Sequence, residues 1–343
     1  MKDIIMATLY DLTPVAGGTY TSETYALGSE PASFDAFLYE PKGGKWGDGP
    51  LKLVIKLRIK LRQLDTRWLF GTTLPAEDFN GKPFATLPWN PADWKRFVQG
   101  ASWQADMWNN KFWLLPPPTF NEWDRPSCGR KWRKNIRCEL AVDFDPEDDP
   151  HRTIDVANLD ASRLAGGQPL GPATFRSHAL LYDSLDTIPW AFPYGQGPGQ
   201  PTTHYVIAHE IGHAIGQGHI GTILRTPLCE LAIRQAELGI DHLNPDAAGG
   251  RDSFYCYGWQ QGIAVVGNIM GAGDRFTVEN ALPWIWAIRY LRQRPAVLRP
   301  QWEPHGLSAS PGRAWDESGV ERRRGEEWRA VVSDPGDGSW VTR

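Results

Sequence analysis

Residues 51–63, LKLVIKLRIKLRQ, alternate between apolar and basic. Leu51, Leu53, Ile55, Leu57, Ile59 and Leu61 fall on one parity, and Lys52, Lys56, Arg58, Lys60 and Arg62 on the other. Successive side chains of a strand point to opposite faces, so the pattern predicts a strand with one buried face and one basic, solvated face. Residues 1–50 are rich in Gly, Ser, Thr, Pro and Tyr, with glycine pairs at 17–18 and 43–44, and predict loops and short strands. Residues 1–85 are expected to form a β-rich N-terminal region.

The period changes at Asn90-Pro91. Asparagine caps a helix and proline fits its first position. Trp94, Phe97, Val98, Ala101, Ala105, Trp108 and Phe112 then recur at three and four spacing, and the helix is expected to run until Pro116, Pro117 and Pro118 stop it. Segments 136–144, 152–156 and 178–182 (HALLY) predict strands. Val206, Ile207, Ile211, Ala214 and Ile215 mark a second helix, capped by Thr202 or Thr203, with His204 an ordinary histidine at its start. Residues 228–238 and 277–291 predict two more, the last capped by Thr277 or Asn280. From Arg292 the chain turns to Pro, Gly, Arg and Glu, with RRRGEE at 322–327. This predicts an extended or partly disordered tail that returns to the surface at Trp340.

Composition adds limits. The 343 residues are 41% apolar and 22% charged, as in a globular protein with a substantial core. A net charge of −4 argues against general nucleic-acid binding. The 17 tryptophans are expected mostly in core packing, with sugar stacking or a membrane-interface surface as the alternatives. There is no run of about 18 apolar residues to span a membrane. The start, MKDIIMATLYDL, lacks the form of a secretory signal. Four cysteines allow three pairings, of which Cys128–Cys138 and Cys229–Cys256 join neighbours, with reduced thiols as the alternative. No feature of the pattern sets an oligomeric state.

Chemistry concentrates in residues 209–219, HEIGHAIGQGH. His209 and His213 are four apart on a helix, so both rings lie on one face and reach one ion at Zn–N distances of about 2.0–2.1 Å. Glu210 follows the first ligand, placed to act as a base rather than a ligand. A catalytic zinc site takes three protein ligands plus water, and His219 is the candidate for the third. A continuous helix would carry it about 9 Å up the axis, so the chain must turn, and Gly216 sits where a left-handed helix end is needed. A closed structural zinc site would be built mostly from cysteine.

The full pattern HExxHxxGxxH resembles that of the metzincin zinc peptidases, and the HEIGHAIG core is most similar to the matrixin version. The resemblance implies an α+β fold with a twisted mixed sheet, an active-site helix and a C-terminal helix. It places a catalytic domain at residues 86–292, between the β-rich residues 1–85 and a tail at 293–343. It further implies Zn2+ held by His209, His213 and His219, with Met270 of GNIMG in a methionine turn. Glu210 would serve as general base in hydrolysing a protein or peptide substrate, which strand 178–182 would bind by edge pairing. Residues 220–266 would shape the substrate pocket. Metzincins usually act outside the producing cell, which points to an exported toxin or effector without a signal peptide, a cytoplasmic peptidase being the alternative. Structural Ca2+ would suit DFDPEDDP at 143–150, against an acidic turn without metal. RPSCGR at 125–130 faintly resembles a matrix metalloproteinase cysteine switch, against a structural Cys128. Two positions depart from the family: Ala272 stands where some members carry tyrosine, and Ile220 follows the third histidine. A second oxyanion donor would then come from Tyr255 or Tyr257. The alternative function is a catalytically silent zinc-binding module that holds peptide or glycan.

Overall fold

The alternation at 51–63 is realised as one long strand. In the computed structural model, residues 12–27, 30–41, 51–64, 87–115, 125–127, 130–132, 135–159, 181–192, 202–238, 255–258, 263–292 and 329–332 are described. They form a mixed α+β fold in two compact units. One unit draws on 1–57, 108–141 and 276–343, the other on 58–107 and 142–275.

In the first unit β1 (Leu12–Leu27), β2 (Glu30–Pro41) and the N-terminal half of β3 (Leu51–Gln63) form an antiparallel meander. The sheet continues through β7 (Ile136–Asp143), β4 (Phe112–Leu115) and β12 (Arg329–Val332). Between β4 and β7, β5 (Arg125–Ser127) and β6 (Arg130–Trp132) pair antiparallel. Trp108, Phe112, Phe276 and Trp284 pack ring against ring, and the Trp284 indole donates to the Glu139 carbonyl at 3.0 Å. Trp108 and Trp284 are fully buried, so part of the tryptophan excess is core. The basic face of β3 is paired in both units: Lys52 with Glu139 in this one, and Arg62 with Asp155 through two hydrogen bonds in the other.

In the second unit the C-terminal half of β3 pairs in parallel with β8 (Arg152–Ala157), and β8 in parallel with β9 (Leu181–Asp183). All three residues of β9 are buried; the rest of the expected strand at 178–182 lies outside the described residues. Helix α1 (Pro91–Asp106) starts as its sequence requires, Asn90 Oδ1 accepting from the amides of Ala92 and Asp93. It packs on α2 (Val206–Ala214).

Two expectations on element boundaries are corrected. The first helix stops at Asp106 instead of running to the prolines. Asn110 takes a left-handed φ of 58°, which asparagine tolerates, and Phe112 opens β4. The 277–291 helix is a 3₁₀ turn at Val278–Ala281 followed by a helix at Leu282–Arg292, with the Asn280 side chain accepting from the Thr277 amide at 2.9 Å. Within the tail, 329–332 is extended and pairs antiparallel with β4. Trp340 and the charged run at 322–327 lie outside the described residues. Among the described residues no helix is long and apolar enough to cross a membrane.

Candidate metal centre

His209 and His213 lie on α2, a helix whose nine residues are all buried. Its start is not capped by threonine, which corrects the expectation. Thr202 and Thr203 belong to β11 (Thr202–His204), paired with β10 (Trp190–Phe192), and the Thr202 hydroxyl donates to the Ala272 carbonyl at 2.7 Å. Tyr205 stands at the cap with no side-chain bond. One open first-turn amide, that of Ala208, is met from α1 instead: Gln104 Oε1 accepts it at 3.2 Å while Gln104 Nε2 donates to the Asp186 carbonyl at 2.7 Å.

The helix ends in a Schellman motif. Gly216 has a φ of 94°, its amide donates to the His213 carbonyl at 2.8 Å, and the Gln217 amide donates to the Gly212 carbonyl at 2.9 Å. The reversal brings His219 back as the first residue before helix α3 (Ile220–Ile223). The turn demanded by the sequence spacing is therefore present at Gly216.

The three imidazoles converge. His213 Nε2 lies 3.1 Å from His209 Nε2 and 3.1 Å from His219 Nε2, and one ligand atom from each ring falls within 4.8 Å of the others. His209 Nδ1 meets the Ile269 carbonyl at 2.8 Å, and His213 Nδ1 meets the Gln217 carbonyl at 2.7 Å. A carbonyl oxygen only accepts, which assigns the proton of each ring to Nδ1. His209 and His213 then have no proton to share between their Nε2 atoms, and their lone pairs face each other across a gap suited to a cation. Tetrahedral coordination with Zn–N of about 2.0–2.1 Å separates two nitrogens by about 3.3 Å.

Electrostatics favour the same state. Burial pushes His209 down to about 3, with the neighbouring His219 adding to the shift. Burial, with His219 and His209 beside it, lowers His213 well below the ordinary histidine range. Neutral imidazole is the form that binds a metal ion. The three histidines could therefore hold an ion, and among the described residues they are the one such group. The acids of 143–150 do not gather in this way; Asp143 instead accepts from the Asp145 amide at 3.1 Å.

Glu210 is buried at 6% exposure on α2 and is not part of the histidine group. Met270 is fully buried in a tight turn. Its amide donates to Asn268 Oδ1 at 2.8 Å, its carbonyl accepts from the Ile220 amide at 2.9 Å, and the preceding carbonyl holds His209. The turn thus touches both the first ligand and the segment just after the third. Cys229, on helix α4 (Pro227–Glu237), is bonded to Cys256. Cys138 is a free, buried thiol, so the Cys128–Cys138 pairing is not formed; Cys128 lies outside the described residues.

Several neighbours were not assigned to the site by sequence. His204 is not a helix-start residue; it ends β11 with its ring 5.2 Å from that of His209, and burial pushes it down to about 3. The Tyr182 hydroxyl is buried with no hydrogen-bond partner among the described residues, and burial, with the charge of Glu210 next, raises it well above the ordinary tyrosine range. Tyr257, weighed above only for its hydroxyl, lays its ring against two ligands. Tyr182 and Tyr257 are brought in by distant segments, while His204 reaches His209 across a strand end and a helix start; periodicity carries no signal for either. The chain matches no protein-family model, no curated protein and no solved structure.

Proposed function

We propose that the chain is a zinc-dependent endopeptidase of metzincin type, with His209, His213 and His219 as ligands, Glu210 as general base and Met270 in the methionine turn. The observation that carries this reading is the convergence of three imidazole nitrogens, two of them from the helix that also carries the buried Glu210. An all-nitrogen set of three leaves a fourth position open, as catalytic zinc requires and a closed structural site does not. A zinc ion bound there supplies a Lewis acid for the scissile carbonyl and a water acidic enough to attack near neutral pH.

The chain's own residues perform the remaining work. The carbonyls of Ile269 and Gln217 fix the tautomers of His209 and His213 and raise their basicity as ligands. Glu210 takes the proton of the attacking water and delivers it to the leaving amine. The substrate on this reading is a protein or peptide.

The test pairs elemental analysis with digestion of a diverse peptide library, for wild type and Glu210→Ala. Both proteins are expected to carry stoichiometric zinc. Cleavage should fall by at least about 10²-fold in the variant alone. Stoichiometric zinc without cleavage by either protein would replace this reading with a silent zinc-binding module that holds peptide or glycan. Equal cleavage by both would remove Glu210 from the mechanism.

A further inference from the structure

The His209 and His213 rings are each held by a backbone carbonyl; a different contact touches two rings at once. The Tyr257 ring lies 3.8 Å from that of His219, centroid to centroid, at 34°. It also stacks on His209 at 5.3 Å, within 7° of parallel. His209 and His219 are themselves stacked at 5.3 Å and 28°. An imidazole that can rotate about its side-chain bonds loses alignment with a shared ion. A flat ring pressed on two imidazoles removes that rotation for both.

The segment bearing Tyr257 is itself fixed on three sides. The preceding residue, Cys256, is bonded to Cys229 on α4, and its carbonyl accepts from the Gly221 amide at 2.8 Å, two residues after the third ligand. On the side of the methionine turn, Gly271 runs so close that a Cβ there would stand 2.6 Å from the Tyr257 carbonyl oxygen. The ring is thus attached to a backbone clamped between the third ligand's segment and the turn that holds the first.

We propose that Tyr257 is a positioning residue of the metal centre. Its ring, anchored by the Cys229–Cys256 disulfide, sets the planes of His209 and His219 so that their Nε2 atoms converge before an ion arrives. This rests on the three histidines binding a metal, and not on peptidase activity. The ring does this work and the hydroxyl does not, which separates the role from that of a proton or hydrogen-bond donor.

The experiment measures zinc affinity by chelator competition and the visible absorption of the cobalt(II)-loaded protein, with thermal unfolding of the metal-free form alongside. Wild type, Tyr257→Phe, Tyr257→Leu and the double variant Cys229→Ser/Cys256→Ser are compared. Phe is expected to retain zinc affinity within about twofold and an unchanged cobalt spectrum. Leu should bind about 10- to 100-fold more weakly, the range for losing a group that orients a ligand, with an altered spectrum. The serine pair should shift in the same direction, as should wild type after mild reduction of its disulfide, a measurement that needs no substitution to fold. Wild-type affinity and spectrum in both the Leu variant and the reduced protein would overturn the proposal while leaving the metal centre intact. Failure of wild type to bind either metal would overturn both.

Discussion

At a φ of 94° Gly216 occupies a region that costs an L-residue about 1–2 kcal/mol. It sits between two ligands, His213 three residues before it and His219 three after. Gly216→Ala reduces the entropy of the unfolded chain, which offsets part of that cost, leaving an expected net loss of about 1 kcal/mol. Denaturant unfolding of the metal-free protein reads the loss; an unshifted midpoint would mean that the reversal does not depend on glycine. Zinc affinity should fall as well, because any relaxation of the turn moves one ligand relative to the other. Residue-scale chemistry of this kind was legible from spacing. A histidine six residues past another on a helix cannot share its ion unless the chain reverses, and only one kind of residue in that interval reverses it without strain. The partners of the ligands were not legible. The Ile269 and Gln217 carbonyls are backbone atoms, identical in every residue, and their roles depend on where the methionine turn and the Schellman motif place them.

At the scale of elements, α2 shows how a local rule can fail while the physics behind it holds. Two threonines just ahead of it look like caps, yet they are spent in β11, and Tyr205 offers no acceptor. The open amide of Ala208 is instead satisfied by Gln104, fully buried on α1 and bonded on its other side to the Asp186 carbonyl. A glutamine on an apolar stripe reads as an ordinary polar helix residue, since both its partners are distant in sequence. Gln104→Leu deletes both hydrogen bonds from a buried position, so it should destabilise the protein by about 1–3 kcal/mol. Chemical denaturation followed by far-ultraviolet circular dichroism would measure it, and a change under about 0.5 kcal/mol would show that water or another group takes over the capping. The strands were easier to read than the helix ends. The β3 alternation, β7 and β8 emerged close to their expected limits, because period-two burial is a local property. The basic face of β3, expected to be solvated, carries ion pairs to Glu139 and Asp155 that come from the pairing of distant strands.

For the whole molecule, the consequential fact is that every group around the candidate metal centre belongs to one of the two units. The ligands, Glu210, the disulfide, Tyr257 and the methionine turn all fall within residues 142–275, and Gln104 within 58–107 of the same unit. The ligands span only 209–219, but their supports come from 104, 217, 257 and 269. Folding of that unit therefore assembles the site, and an ion that binds only the assembled form must stabilise it by mass action. At free zinc about 100 times the dissociation constant, the gain is about 2.7 kcal/mol, and chelation should remove it. Hydrogen exchange with and without chelator would locate the effect. Protection should rise most at amides 206–219, which carry the ligands, and at 266–273, where the turn holds His209 through the Ile269 carbonyl. The turn supplies no ligand, so a gain there is transmitted through its contacts with the site, among them that hydrogen bond, the one from Ile220 to Met270 and the packing of Gly271 on Tyr257. Protection confined to 206–219 would mean that the turn is a passive neighbour of the site. Protection in both segments would mean that the ion locks a structure already built to receive it.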